Sequence, residues 1–197
     1  MLFKHPLLKI VTLAICIPLG IYLLMLYQKK TNVSDIIINP LPLATPTPVK
    51  PIEVHSIEGS LKLIMQEKTL PEGINTYTFF VADITGENQR LLFTKTASGS
   101  GTMTIPANSW SPDNKYVFLR ESENGSIHVL VFKASGQAFA DGQKYLDVID
   151  LFAKRLTTEF ITDVTGWDAP ALLHVKASSF SYWFDIDSRS FLQLATR

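Results

Sequence analysis

Asn108-Ser109-Trp110-Ser111-Pro112-Asp113-Asn114-Lys115 runs directly into Tyr116-Val117-Phe118-Leu119. The order is a bulky anchor, a four-residue turn and an apolar run. Proline at Pro112 presets φ for the second position of a type I turn, and Asp113 can bond the backbone that follows it. Asn114 then falls where a left-handed residue is wanted, which asparagine tolerates better than a β-branched residue would. Beyond the turn, Tyr116 and Phe118 alternate with Val117 and Leu119, so neither face of the strand is polar. A strand of that kind is expected to be covered on both sides.

Working outward, short apolar runs separated by turn residues recur on either side. Leu61-Lys62-Leu63-Ile64-Met65, Tyr77-Thr78-Phe79-Phe80-Val81-Ala82 and Arg90-Leu91-Leu92-Phe93-Thr94 precede the central stretch. Ile127-His128-Val129-Leu130-Val131-Phe132 follows it, then Leu172-Leu173-His174-Val175, Tyr182-Trp183-Phe184-Asp185-Ile186 and Phe191-Leu192-Gln193-Leu194. Hairpins end near residues 83, 133 and 185, at turns carrying Gly86, Gly136 and Ser188. Regular recurrence at about fifty residues marks a repeat. The expected fold class is all-β and mainly antiparallel, as an incomplete propeller-like or stacked-sheet domain over residues 53–197. Between repeats, residues 146–156 read as a short amphipathic helix with Leu146, Ile149 and Ala153 on one side.

At Trp110-Ser111-Pro112-Asp113-Asn114, and more loosely at Val81-Ala82-Asp83 through Gly86-Glu87-Asn88-Gln89-Arg90-Leu91, the chain resembles the TolB-like group of WD40-related β-propeller repeats. Asn114 stands where that motif has glycine, and the third unit keeps only Trp167 and a proline turn. The resemblance implies about three blade-like units between Leu61 and Leu194. It makes Trp110, Ser111, Pro112, Asp113, Asn114, Gly136, Trp167 and Gly86 structural repeat residues. Closed propellers need four to eight blades, so open end faces or closure by association are expected.

Toward the N-terminus the composition changes. Residues 10–27 carry no charge, and as a helix they would span about 27 Å, near the thickness of a bilayer core. They read as a transmembrane signal anchor behind a short basic tail, residues 1–9. Against cleavage, the apolar run exceeds a typical signal-peptide core; against lipidation, Ile15 is too large before Cys16. Residues 28–52 form a proline-rich linker, with Pro40, Pro42, Pro46, Pro48 and Pro51 favouring an extended spacer. The C-terminal domain is expected outside the cytoplasm, attached to the lipid bilayer through residues 10–27.

The chain is formally neutral, but Lys4, Lys9, Lys29 and Lys30 all precede the first acidic residue, so the remainder is net acidic. A basic patch of the kind that binds nucleic acid is missing from the domain. One cysteine, Cys16, excludes an internal disulfide and a cysteine-built zinc site.

Chemistry is sparse. Ser98-Gly99-Ser100-Gly101 lacks the spacing of a nucleophile elbow or a phosphate loop. His128 and His174 sit within strands and read as packed imidazoles. Asp185 and Asp187 would share a strand face, which suits a divalent cation, yet the EF-hand series is absent and Asp187-Ser188 has turn chemistry. Trp110, Trp167, Trp183, Phe184 and Tyr182 could line a carbohydrate or peptide groove, although burial between sheets is the default for such rings. Asn32-Val33-Ser34 and Asn124-Gly125-Ser126 fit glycosylation sequons by spacing alone.

The expected function is a membrane-anchored binding or scaffold protein with no cofactor, serving an envelope protein or peptide partner, with a homo-oligomer among the options. The alternative is a hydrolase or accessory subunit whose site is built from scattered loop residues such as Asp163, Asp168 and His174.

Overall fold

The structure, a computed structural model, describes residues 50–70 and 73–195. Among the described residues, twelve strands and one helix form the β-rich unit Pro48–Arg197. Strands β1 (Ile52–His55), β2 (Leu61–Leu70), β3 (Ile74–Asp83) and β4 (Arg90–Ala97) pair in chain order as the first sheet. The second contains β5 (Thr102–Thr104), β6 (Tyr116–Glu123), β7 (Ser126–Lys133) and β8 (Leu146–Asp147). Helix α1 (Val148–Arg155) then leads to the third, β9 (Ile161–Ala169), β10 (Leu172–Ala177), β11 (Ser181–Asp185) and β12 (Ser190–Gln193). All neighbouring strands are antiparallel. The mainly antiparallel all-β expectation is met by three successive four-stranded sheets.

The central strand behaves as its alternation requires. Val117 and Leu119 join Leu63, Met65, Tyr77, Phe79 and Val81 of the first sheet in one apolar core. Phe118 and the half-buried Tyr116 join Leu173, Val175, Tyr182 and Phe184 of the third sheet in another. The central strand β6 is therefore covered on both faces by apolar residues of the neighbouring sheets. Each seam also carries an ion pair. Lys95 Nζ meets Glu121 at 2.6 Å between the first and second sheets, and Arg120 Nη2 meets Asp163 at 2.7 Å between the second and third.

The helix differs from its expected extent. Asp147 Oδ1 accepts from the backbone of Ile149 and Asp150, and this N-cap starts the helix at Val148. Leu146 is therefore paired in β8, and the buried helical positions are Val148 and Phe152, whereas Ala153 is exposed. Val148 and Phe152 are four apart, so they lie on one helical face. The third unit also starts earlier than Trp167, because β9 begins at Ile161.

Among the described residues no helix is long and apolar enough to cross a membrane. The expected anchor over 10–27, most of the linker and the sequon at Asn32 lie outside the described residues.

Candidate functional site

The first two sheets repeat one local construction in hydrogen-bonded detail. In the central stretch, Ser111 N donates to Tyr116 O at 2.9 Å, Asn114 N donates to Ser111 O at 2.9 Å, and Ser111 Oγ accepts from Tyr116 N at 2.9 Å. Asn114 has φ 60°, the left-handed value expected of it. Ser111 Oγ also donates to Asp113 Oδ1 at 2.9 Å, and Pro112 fills the turn between them. The same bonds recur in the first sheet, where Ser56 N donates to Leu61 O, Gly59 N to Ser56 O, and Leu61 N to Ser56 Oγ. Gly59, at φ 68°, occupies the place of Asn114. Sequence reasoning missed this copy because His55 replaces the tryptophan; the Ser-x-x-Gly spacing before Leu61 was the available signal.

Ladder register fixes the correspondence. His55 pairs with Lys62, Trp110 bridges to Val117, and Trp167 pairs with Leu173. At the far end of each hairpin, Ile84 N, Ala134 N and Ile186 N donate to Ser60 O, Lys115 O and Ala171 O. Gly86 and Gly136 both have positive φ and close the first two of these hairpin turns. In the third unit a shorter turn at Pro170 and Ala171, with a register shift beside Leu172, replaces the serine turn.

The three corresponding residues converge. His55, Trp110 and Trp167 line one cavity of about 170 Å³, together with Ile57, Ala107 and Asn108. Two indoles are fixed by their polar atoms: Trp110 Nε1 donates to Val54 O at 3.0 Å and Trp167 Nε1 donates to Ser109 O at 3.0 Å. Asn108 Nδ2 donates to the carbonyl of Thr165, and any side chain larger than hydrogen at Gly166 would collide with that amide. The walls are aromatic and apolar, with an imidazole and an amide at the rim. Such a lining can recognise a ring or an apolar side chain by stacking and one or two hydrogen bonds; it has no hydroxyl, thiol or carboxylate side chain.

The residues of the hydrolytic alternative are held by separate partners. Asp163 pairs with Arg120, Asp168 Oδ2 accepts from Trp183 Nε1 at 2.7 Å, and His174 Nδ1 lies 2.6 Å from Thr165 Oγ1. None of these contacts joins two of the three. Asp185 Oδ1 accepts from Asp187 N and Ser188 N, as turn chemistry predicts, and Asp187 Oδ1 accepts from Tyr116 O–H at 3.0 Å. Burial of the Tyr116 phenol, reinforced by that bond to Asp187, pushes its pKa up to about 12. Of the remaining aromatics, Tyr182 and Phe184 are buried, while Trp183 is half-buried on the outer face of the third sheet. The sequon at Asn124 is a hairpin turn, with Asn124 at φ 51° and Gly125 at φ 80°. Asn-Gly between apolar runs is the usual signal for that turn.

One cluster was not legible beforehand. His128 Nδ1 lies 2.6 Å from Asp147 Oδ2, and Asp150 is close enough that the three could offer ligand atoms to one metal ion. Asp147 already caps α1 with its other oxygen, and a helix N-terminus opposes a cation. The arrangement is that of a hydrogen-bonded cap. A cavity of about 320 Å³ beside Arg90, Lys115 and Lys133 is similarly committed. Arg90 and Lys133 donate to the carbonyls of Ala134 and Ala138, and Lys115 pairs with Asp113.

No protein-family model matches this chain, and no curated protein does.

Proposed function

We propose that this chain is a membrane-anchored, extracytoplasmic TolB-like repeat protein whose three sheets are propeller-type blades and which acts as a non-catalytic binding or scaffold module. The observation that carries the reading is the repeated register of His55, Trp110 and Trp167, which brings one position from each sheet to a single cavity. Repeat proteins concentrate recognition where equivalent positions gather, because each unit contributes one side chain to a shared surface. Here the surface is aromatic, which suits a peptide side chain or a ring of an envelope partner. The uncharged segment 10–27 and the proline-rich stalk support attachment to the bilayer.

A photo-crosslinking residue placed at Ile57 in the full-length chain, in its native membrane, tests the reading. The expected result is one predominant crosslinked partner, lost when Trp167 is replaced by alanine. Ester, peptide or glycoside hydrolysis by the purified chain, abolished by Asp168→Asn or His174→Ala, would overturn it in favour of an enzyme.

A further inference from the structure

We infer that one end of this domain, carrying Phe160 and Phe180 beside Lys154, Arg155 and Lys176, rests on the surface of a bilayer that contains anionic lipid. The inference rests on the membrane-anchored reading above and adds which end of the domain meets the lipid.

Register defines two ends. Strands β2, β6 and β10 all start beside the cavity of His55, Trp110 and Trp167 and run away from it. Their far ends turn back in hairpins after Leu70, Glu123 and Ala177. Ile127, 47 % exposed, stands just beyond the second of these turns. Phe180, 37 % exposed, belongs to the third turn, and Phe160, 67 % exposed, is held beside it by the bond from Ser178 N to its carbonyl. A cleft of about 340 Å³ opens between Ile127 and Ile161, with Val129, Ile149 and Val164 in its walls. Exposed rings and aliphatic side chains gathered at one end mark a surface that meets something less polar than water.

Charge narrows the occupant. Lys154 and Arg155 are exposed in the last turn of α1, shortly before Phe160, and Lys176 is exposed beside the turn that holds Phe180. Among the described residues none of these three cations forms an ion pair. The nearby acids are engaged: Asp163 pairs with Arg120, and Glu159 accepts from the Tyr182 hydroxyl at 2.8 Å. At the cavity end Ile57 and Ile84 are exposed as well, but there Lys62 pairs with Glu53 and Lys115 with Asp113, while Glu58 and Glu87 are exposed. Aromatic rings flanked by unpaired lysine and arginine suit an anionic lipid surface, where the rings enter the headgroup layer and the cations meet phosphate. An end rich in free carboxylates is repelled by the same surface.

The path of the chain agrees. In β1, Ile52 lies opposite Met65, and His55, nearer the cavity, lies opposite Lys62. The chain before Ile52 therefore joins the first sheet from the hairpin end, and it is this part of the sequence that contains the uncharged residues 10–27. Once that segment is anchored, contact between the domain and lipid is intramolecular, so a patch of two rings and three cations suffices without high affinity of its own.

The test uses the full-length chain with Cys16→Ser and one introduced cysteine, Ser179→Cys or Glu58→Cys, carrying a polarity-sensitive dye. Each is reconstituted into vesicles of phosphatidylcholine with phosphatidylglycerol and into vesicles of phosphatidylcholine alone. In the mixed vesicles the dye at position 179 should shift to the blue and be quenched by nitroxide-labelled lipid, with both effects weaker in phosphatidylcholine alone. Lys154→Glu with Lys176→Glu should abolish them and Phe160→Ser should reduce them; all three side chains are exposed, so the fold is kept. The dye at position 58 should stay open to aqueous iodide throughout. A dye at 179 that remains in water, on a chain that resists carbonate extraction, overturns the inference and leaves the anchor in place. Loss of the chain on carbonate extraction removes the anchored reading and the inference together. Lipid quenching at 58 instead of 179 overturns the inference in favour of the cavity end. Shielding at 179 that ignores lipid charge and falls as the chain is diluted among vesicles overturns it in favour of a second copy.

Discussion

The indole N–H of Trp167 donates to the carbonyl of Ser109 at 3.0 Å, while the residue after that serine, Trp110, makes the corresponding bond to Val54. Consecutive sheets are thus linked by the same donor reaching the same kind of acceptor. Trp110 is only 3 % exposed and packs in the core between the first two sheets. Its replacement by alanine should destabilise the domain by about 3–5 kcal/mol, as expected for a large buried aromatic. Trp110→Phe keeps most of the packing and removes the hydrogen bond, so a smaller loss of about 1 kcal/mol is expected. Denaturant midpoints of the two variants separate these contributions; equal losses would mean that the bond to Val54 outweighs the packing.

Ser111 is fully buried and satisfies two groups at once, the amide of Tyr116 and the carboxylate of Asp113. Alanine there strands the amide and should cost about 1–3 kcal/mol. Ser56→Ala removes only the bond from Leu61 N, at 3.1 Å, and should cost less. Equilibrium unfolding of both variants checks the order. A larger loss at Ser56 would show that the two turns are alike in shape but not in energetic weight.

Residues whose roles depend on local chemistry were readable in the sequence. Pro112, Asp113 and Asn114 predict their turn, and the alternation in β6 predicts a strand covered on both sides, because each signal is set by neighbours in the chain. The first copy of the turn was hidden, since Ser56 and Gly59 repeat the backbone bonds while His55 supplies none of the bulk that marks Trp110. Strands β1, β5 and β8 are short, and their pairing is decided by the longer strands beside them. Asp147 illustrates a further limit. Its cap on α1 is a local signal, but its contact with His128 depends on β7 pairing with β8. The cavity beneath His55, Trp110 and Trp167 depends on the register of all three sheets, which no spacing within one unit reveals.

Acid sensitivity should be traceable to Asp141. The Arg189 guanidinium, 2.6 Å away, holds its carboxyl down to about 2. A carboxylate depressed in the folded state contributes stability that is complete above its ordinary pKa, near 3.8, and is lost as pH falls through the folded value. Asp83, lowered by hydrogen bonds from Thr85 and then Asn88, acts in the same direction. Thermal midpoints should therefore drop between about pH 4 and pH 2. Asp141→Asn should lower the midpoint near neutrality and flatten that acid limb. An unchanged limb in the variant would assign the loss to other carboxylates.

The seam between the first two sheets offers the sharpest energetic test. Glu121 is 6 % exposed, and its carboxylate meets Lys95 Nζ at 2.6 Å, with Glu123 farther away at 3.8 Å. The hydrogen bond to Glu121 raises the pKa of Lys95, which favours the charged pair. Removing the lysine alone, as Lys95→Met, leaves a carboxylate inside an apolar core. Fully buried pairs cost about 3–5 kcal/mol to break in this way. Lys95 remains a third exposed, so solvent screening reduces the expectation to about 1–3 kcal/mol. Glu121→Leu removes the charge that needs a partner, and the double variant should recover most of the stability lost by Lys95→Met. Denaturant unfolding of the wild type, both single variants and the double variant gives the coupling energy directly. Additive losses would mean that the pair is solvated despite its position, and that apolar packing and the hydrogen bonds from Trp110 and Arg90 hold this seam without it.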